Sequence, residues 1–260
     1  MRKIQKNKIS KEDKFDLENL WCEVKKRLEK RGYADNWVHG IPHIVRVHKN
    51  MRLLSKLCKI DNRLIKCLEV AVITHDIGRG ISGNHAQNSA KIFGGMKIEG
   101  LREKEKEEIL FAVKNHSVGL AGVGIKKAKQ DKEILLGLLT LADHMDAIGK
   151  ISLDRVIQWS KNTGMNLNLL SKIKPKKLRR FIANGKITPR IKRLNLEEES
   201  IIAHLIYNYL ATKQIVKPIS HLLSKKFLLE IKKRERELLD DIEIRIRLME
   251  KNSERFIDLK

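Results

Sequence analysis

The sequence predicts an all-α protein, and three observations lead to that fold class. No segment sustains the alternation of apolar and polar residues that marks a half-buried strand. Apolar residues recur instead at helical spacing in several segments. Only four prolines interrupt the chain, and the stretches from Pro42 to Pro175 and beyond Pro218 leave room for uninterrupted helices. A hydrophobic content of 42% is enough for a buried core.

Three helices are predicted in the N-terminal part. Ser10 is expected to cap the first of them, and Gly32 to end it. Pro42 opens the second helix, at a position where a missing N–H has no cost. Asp61 caps the third, over about residues 63–76. The second half of that helix is apolar nearly all round, so we expect it to be buried.

The middle of the chain alternates helices with glycine-rich loops. The loop 78–83 ends the third helix, and a short helix near 86–92 and a longer one over 103–114 follow. A second glycine-rich loop leads to a helix over about 132–148. The apolar run 134–142 inside it is too short to cross a membrane and is predicted to be buried.

The composition changes after Gly149, where the chain becomes less apolar and more basic. We therefore divide it near 150–165, into a core domain of residues 1–150 and a basic helical C-terminal region of residues 151–260. The stretch 222–249 is predicted to be one long charged helix with an apolar stripe. That stripe is suited to packing on the core or to pairing with a second copy in a homo-oligomer.

The charge balance predicts anionic partners. The chain carries 55 basic and 32 acidic residues, a formal charge of +23. A Lys- and Glu-rich thermophile surface is the alternative, but it adds both signs and does not explain the excess. The segment 172–193 holds ten cations and no acid, which favours nucleic acid bound through its backbone, because Phe181 is the only aromatic residue there. A loop that only aids solubility is the alternative.

Cysteine usage and hydropathy predict a cytoplasmic location. The three cysteines form no C-x-x-C pair and are expected to be thiols in a reducing cytosol. No apolar run reaches the length of a membrane span, and no apolar stretch follows the basic N-terminus as a secretory signal requires.

A set of histidines and aspartates predicts a metal site. His75 and Asp76 end a buried helix just before a glycine-rich loop, where a charged carboxylate is costly unless it is paired or bound to metal. His43 lies in the first turn of another helix, and Asp143 lies late in a third. Two imidazoles and two carboxylates suit a divalent transition metal. The alternatives are a chance His-Asp dipeptide, a surface His43 and an Asp143 that forms a salt bridge in the core.

These residues resemble the HD-domain phosphohydrolase superfamily over about residues 30–150. The resemblance rests on three motifs in the family's order: His43-Ile44-Val45-Arg46-Val47, Ile73-Thr74-His75-Asp76-Ile77-Gly78-Arg79 and Ala142-Asp143-His144-Met145-Asp146-Ala147-Ile148-Gly149. It implies an HD-type helical bundle around one or two metal ions, with His43, His75, Asp76 and Asp143 as the metal ligands.

The resemblance also bears on the number of ions. His85 and His116 match positions where two-metal members carry further ligands, but Ser117 stands where such members have a second histidine. We therefore expect one tight divalent ion (Mn, Fe, Co, Ni, Zn or Mg) and a second, weaker one at most. His39 could share the face of His43, but we prefer His43 because it is followed by Arg-Val.

Five residues are predicted to act in catalysis. Asp76 would orient a water molecule, and His85, His116 and Arg79 would neutralise phosphate charge or assist the leaving group. Arg79 could instead be a solvated loop cation. Asp146 is expected to hold either a group just outside the metal ligands or a substrate hydroxyl. The alternative for Asp146 is a salt bridge at the helix end. We expect His48 and His144 to be surface or packing residues.

Three functions compete at this point. The leading one is an enzyme that hydrolyses a phosphate ester or anhydride of a small phosphorylated substrate, such as a nucleotide. The second is a phosphodiesterase or nuclease acting on RNA or DNA, which the charge favours. The third is a non-catalytic nucleic-acid-binding protein with a structural metal. The third is disfavoured because a structural ion needs no open glycine-rich loops beside it.

Overall fold

The structure is a computed structural model that describes residues 16–163 and 201–240, and within these ranges it contains helices and no β-strand. The predicted all-α fold class is therefore confirmed. The helices are α1 (Leu17–Lys30), α2 (Ile41–Leu57), α3 (Asn62–Thr74), α4 (His85–Gly94), α5 (Glu103–Asn115), α6 (Gly119–Gly122), α7 (Asp131–His144), α8 (Ser152–Thr163), α9 (Ile201–Val216), a 3₁₀ helix (Lys217–Leu222) and α10 (225–240).

Helix starts follow the capping residues. The carboxylate of Asp16 accepts a hydrogen bond of 3.1 Å from the backbone N–H of Asn19, and it thereby satisfies a donor that has no partner inside α1. The helix therefore begins after Asp16 and not at Ser10, which lies outside the described residues. Asp61 caps α3 in the same way, and Pro42 lies in the first turn of α2, both as predicted.

Two helix ends come earlier than the sequence predicted. We expected α3 to reach Asp76 and α7 to reach Ile148, but they end at Thr74 and His144. Each is followed by a tighter turn, in which an N–H bonds to the carbonyl three residues earlier: Ile77 to Thr74, and Asp146 to Asp143. The turns bring the polar residues of both motifs off their helix axes.

The core is built around α7, which packs against α2, α3 and α5, while α4 packs on α5. The stretch of α7 from Leu135 to Ala142 is buried on all sides, as the apolar run predicted. The C-terminal half of α3 is also fully buried. Two buried helices, α3 and α7, thus end beside each other and carry their terminal polar residues to one place.

The C-terminal elements cover the outer side of α7. Gly137 on α7 is so close to the 3₁₀ helix that an added Cβ would lie 2.4 Å from Cγ2 of Ile219, so a larger residue would separate the two helices. α10 contributes Phe227, Ile231 and Leu238 to the same core cluster that contains α1 and α3. The predicted terminal helix is thus present over 225–240, and residues 241–249 lie outside the described ranges. The division near 150–165 stays a prediction.

Other expectations concern surface features. Across residues 16–163 and 201–240, no helix is long and apolar enough to span a bilayer. Cys22 is exposed, Cys58 and Cys67 are buried, and all three are free thiols. The basic segment 172–193 lies outside the described residues.

Candidate metal centre

The ends of three helices bring the four predicted metal ligands together. Nε2 of His43, in the first turn of α2, lies 3.2 Å from Nε2 of His75 and 3.2 Å from Oδ1 of Asp143. Oδ2 of Asp76 lies 3.7 Å from Nε2 of His43 and 3.8 Å from Nε2 of His75. His43 and Asp76 are almost fully buried, while 26% of the Asp143 side chain is exposed. The cluster is therefore open to solvent on the α7 side.

Three imidazole rings are each held by a hydrogen bond at Nδ1. Nδ1 of His75 and Nδ1 of His116 each donate to the backbone carbonyl three residues earlier, at 2.8 and 2.7 Å. Nδ1 of His43 donates to Oδ2 of Asp146 at 2.7 Å. Because carbonyls and ionised carboxylates only accept, each Nδ1 carries a proton, and Nε2 is the atom left for a ligand whenever a ring is in its neutral form. Nε2 of His43, His75 and His116 lie 3.7, 3.8 and 3.7 Å from a carboxylate oxygen of Asp76.

This arrangement fits a cation. Nε2 of His43 and Nε2 of His75 face each other at 3.2 Å, and in the neutral rings their lone pairs repel unless a positive charge, a proton or a metal ion, lies beside them. Oδ2 of Asp76 is buried and has no hydrogen-bond partner among the described residues, although such an atom is costly to leave unsatisfied. His43, His75 and Asp143 each offer a donor atom within 4.8 Å of the others. The buried His and Asp groups could therefore hold a metal ion.

Three of the four predicted ligands have the protonation states that a metal ion needs. The pKa of the fourth, His43, is raised, because burial, which lowers it, is outweighed by hydrogen bonds to two carboxylates, so an ion bound there would take the place of a proton. Burial alone would raise the pKa of Asp76, but Arg79 and His75 outweigh it and hold that pKa well below the usual range. Burial also acts to raise the pKa of Asp143, and the hydrogen bond and charge of His43 depress it well below the usual range. Burial lowers the pKa of His75 to about 4. Near neutral pH both carboxylates are ionised and His75 is neutral.

The second oxygen of Asp76 faces a different set of groups. Arg79 donates to Oδ1 from its Nε at 2.9 Å. Nε2 of His85 and Nε2 of His116 lie 3.5 and 3.7 Å from the same oxygen. The structure thus brings Arg79, His85 and His116 to one side of Asp76, opposite His43. Arg79 contacts the carboxylate instead of standing free in its loop.

His85 and His116 lie near Oδ1 of Asp76. Their Nε2 atoms are 3.2 Å apart, and in one tautomer of His85 its Nε2–H donates to the lone pair of His116. The guanidinium of Arg79 supplies positive charge on this side of Asp76. His75, Asp76 and His116 also offer donor atoms within 4.8 Å of one another, so this side could hold an ion as well. The expectation of one tight ion and one weaker one stays a prediction.

Gly78 places His85 in the cluster. Its backbone N–H donates to Oγ of Ser89 on α4 at 2.8 Å. A Cβ on Gly78 would lie 2.4 Å from the backbone nitrogen of Ser89, which cannot move aside without displacing α4. Only glycine permits this contact between the loop and α4, and the contact brings the first residue of α4, His85, beside Asp76.

Asp146 lies behind His43. Its carboxylate is only 1% exposed, and besides His43 it accepts from Nε of Arg46 at 2.7 Å and lies 3.2 Å from Nη1 of Arg155. We predicted Asp146 among the catalytic residues, holding a group just outside the metal ligands or a substrate hydroxyl. The structure places its buried carboxylate against His43, one of the predicted ligands. The salt bridges that were its alternative are also present.

Sequence reasoning set aside His39, which the structure places in the cluster. Its Nδ1 is buried without a hydrogen-bond partner among the described residues and lies 3.4 Å from Oδ2 of Asp76. His39, His43 and Asp76 form a second group whose donor atoms lie within 4.8 Å of one another. The spacing of four residues between His39 and His43 was the signal that could have identified His39. We treated it as a choice between two histidines on one helix face, but His39 precedes α2 and reaches Asp76 from the preceding turn.

Other histidines have partners away from the centre. His48 contacts Glu69 at 2.7 Å. Nε2 of His144 lies 2.9 Å from the backbone oxygen of Asn208 on α9, and burial lowers the pKa of His144 to about 4. His144 is therefore a packing residue between α7 and α9.

Comparisons with known proteins bear on the fold. No family model and no curated protein matches the chain. A crystal structure of a Lactobacillus plantarum protein, solved as a structural genomics target, is similar with a TM-score of 0.52 and 15% sequence identity. The match covers 86% of this chain and 94% of that one. At such low identity the similarity shows a shared fold and nothing about activity.

Proposed function

We propose that the chain is a metal-dependent phosphohydrolase of the HD type that releases phosphate from a small phosphorylated substrate. One observation carries the proposal: two groups of donor atoms, from His43, His75 and Asp143 and from His75, Asp76 and His116, share His75, and within each group the atoms lie within 4.8 Å of one another. The cluster has an open side, at the partly exposed Asp143. A purely structural metal site has its ligand positions closed to solvent, whereas a catalytic site keeps one open.

The protein groups have distinct tasks in this proposal. When bound, a divalent ion supplies a nucleophile from water near neutral pH and offsets charge on the phosphoryl group. Asp76 is ionised and can accept a hydrogen bond that orients the attacking water. Burial lowers the pKa of His85 to about 4, so the ring is neutral and can donate one hydrogen bond to a phosphoryl oxygen. His116 and Arg79 are placed to stabilise negative charge on the same side.

The charge of the chain supports an anionic substrate. A formal charge of +23 raises the local concentration of phosphorylated molecules. The nucleotide that the sequence predicted is one such molecule.

A hydrolysis screen tests the proposal. Aryl phosphate monoesters and diesters would be offered to protein loaded with Mn, Fe, Co, Ni, Zn or Mg, and phosphate or phenol release would be measured. We expect turnover with at least one metal and none in the His75→Ala variant. His221→Ala is the matched control, because this exposed histidine lies in the 3₁₀ helix and contacts none of the cluster. A metal-loaded wild type that releases nothing from any ester would contradict the proposal.

The charge also supports the second candidate, a phosphodiesterase acting on nucleic acid. Binding through the basic segment 172–193 would weaken steeply as salt rises, because it works by counterion release. The test is oligonucleotide affinity at several salt concentrations, in wild type and with Lys176, Lys177, Arg179 and Arg180 changed to Ser. Cleavage of the oligonucleotide supports the nuclease, and binding without cleavage of any ester supports a binding protein. No binding at low salt leaves the small-molecule enzyme.

A further inference from the structure

A pocket adjoins the candidate metal centre on its open side. It has a volume of about 210 Å³ and lies between α6, α7, α8 and α9. His116 and Asp143 form its inner wall, and small residues such as Gly119, Ala147 and Ala211 form much of the rest. Two of the four elements, α8 and α9, belong to the part of the chain that the HD resemblance does not cover. The C-terminal region therefore shapes the space next to the metal ligands.

Among the described residues that line the pocket, Arg155 is the one arginine, and there is no lysine. The side chain is 13% exposed, and its Nη1 lies 3.2 Å from Oδ2 of Asp146. Nη1 of Arg155 is buried and has no hydrogen-bond partner among the described residues, so its N–H groups remain to be satisfied. An anionic oxygen in the pocket would satisfy them.

Asp146 does not need Arg155 as its counter-charge. Arg46 already donates two hydrogen bonds to this carboxylate, from Nε at 2.7 Å and from Nη2 at 3.1 Å. The same guanidinium stacks over the ring of Trp37 at 4.3 Å, and Arg46 does not line the pocket. Two guanidinium groups and the ring of His43 thus share one carboxylate. The second positive charge, on Arg155, faces the pocket.

We propose that Arg155 binds the phosphoryl group of the substrate, and that the pocket encloses the leaving group of a small phosphomonoester without an aromatic ring. The inference rests on the proposed function. In the reaction, the oxygen of water bonds to phosphorus and the ester P–O bond breaks. The leaving oxygen takes a proton, and the products are an alcohol and inorganic phosphate.

The size of the pocket defines the substrate class. The pocket has a volume of about 210 Å³. Pockets that enclose drug-sized ligands start at about 300 Å³. Among the described residues that line it, none is Phe, Tyr or Trp, the usual stacking surfaces for a base. A three- to six-carbon polyol therefore suits this space better than a nucleoside does.

Phosphate affinity tests the role of Arg155. Inorganic phosphate would be titrated calorimetrically into protein saturated with metal, and metal retention would be measured separately after dialysis. We expect Arg155→Gln to weaken phosphate binding about tenfold or more, because it removes a charged donor, while metal retention stays at the wild-type level. The matched variant Arg46→Gln, which alters the other guanidinium on Asp146, should lower metal retention and leave phosphate affinity at saturating metal unchanged.

Three results would overturn the inference. Unchanged phosphate affinity in Arg155→Gln would exclude a direct contact, and metal loss equal to that of Arg46→Gln would show a structural role. A wild type that prefers nucleoside monophosphates to polyol phosphates would refute the substrate class.

A further variant tests the pocket itself. Ala211→Leu, which fills the pocket, should lower kcat/KM for a polyol phosphate and spare phosphate affinity. Arg155-dependent phosphate binding in a protein that hydrolyses no ester would support the assignment of Arg155 and refute the proposed function.

Discussion

Nδ1 of His43 donates a hydrogen bond of 2.7 Å to Oδ2 of Asp146, across 103 positions of sequence. The bond joins the first turn of α2 to the turn that follows α7. It fixes the ring orientation of His43 and keeps a proton on Nδ1, so that Nε2 faces His75 and Asp143. The geometry of the cluster therefore depends on a residue that does not itself face the proposed ion.

The first prediction tests that dependence. Asp146→Asn keeps an oxygen that can accept from His43, but it removes the charge that balances Arg46 and Arg155. We expect metal affinity to fall about 10- to 100-fold, as is usual when a partner of a ligand is changed. Competition with a fluorescent chelator measures it, and Asp154→Asn, at an exposed position on α8, is the control. Equal affinity in both variants would show that Asp146 does not position His43.

The second prediction concerns the number of ions. If one ion binds tightly on the His43 side of Asp76, His116→Ala should slow turnover much more than it reduces bound metal. The physical reason is that His116 shares the far side of Asp76 with Arg79 and His85. Metal analysis and kcat would be compared in the same preparations. Two firmly bound ions per wild-type chain, with one lost in the variant, would refute the single-ion interpretation.

The third prediction concerns pH. Burial lowers the pKa of His144 from 6.5 to about 4, so the unfolded chain binds the proton more tightly than the folded one. The stabilising contribution is complete above pH 6.5 and is lost as the pH falls toward 4, by roughly 3 kcal/mol at most. His144→Gln, whose amide can still donate to α9, should flatten this part of the stability–pH curve in metal-free protein. Urea melts between pH 4 and 7 measure it, and an unchanged slope would contradict the account.

The fourth prediction concerns α10. Nη1 of Arg234 donates to Oδ1 of Asn50 at 3.0 Å and to the backbone oxygen of Met145 at 2.9 Å, which ties α10 to α2 and to the end of α7. Arg234→Ala should lower the free energy of unfolding by about 2 kcal/mol, because two acceptors lose their donor. Lys233→Ala, exposed on the same helix, should change the free energy of unfolding little.

Deleting residues 222–260 should also abolish metal binding, since α10 contributes to the core. A truncated chain that still binds metal would make α10 an accessory element.

The sequence predicted the fold class, most helix bounds and the residues that meet at the centre, because these depend on local signals. Helical periodicity located α2, α3, α5 and α7, and the polar residues at the ends of buried helices stood out against their apolar surroundings. Short-range capping chemistry located the start of α3 at Asp61.

The rest depends on contacts between distant parts of the chain. No local pattern shows that Arg46 and Arg155 share Asp146, or that Arg234 reaches Asn50. The role of His39 was missed for a related reason, since the turn before α2 sets its direction and helical periodicity does not apply there. Such pairs follow from how the helices pack, which a single sequence does not reveal.

The most direct test of the central claim is the metal content of purified Asp76→Ala beside wild type and His221→Ala. Elemental analysis after exhaustive dialysis should find about one divalent ion per chain in wild type and in His221→Ala, because their ligands are intact. Asp76→Ala should lose most of its metal and all hydrolysis, since it lacks the carboxylate that faces both sides of the cluster, while its circular dichroism stays helical. A helical Asp76→Ala protein that keeps its full ion and full turnover would contradict the assignment of the metal centre.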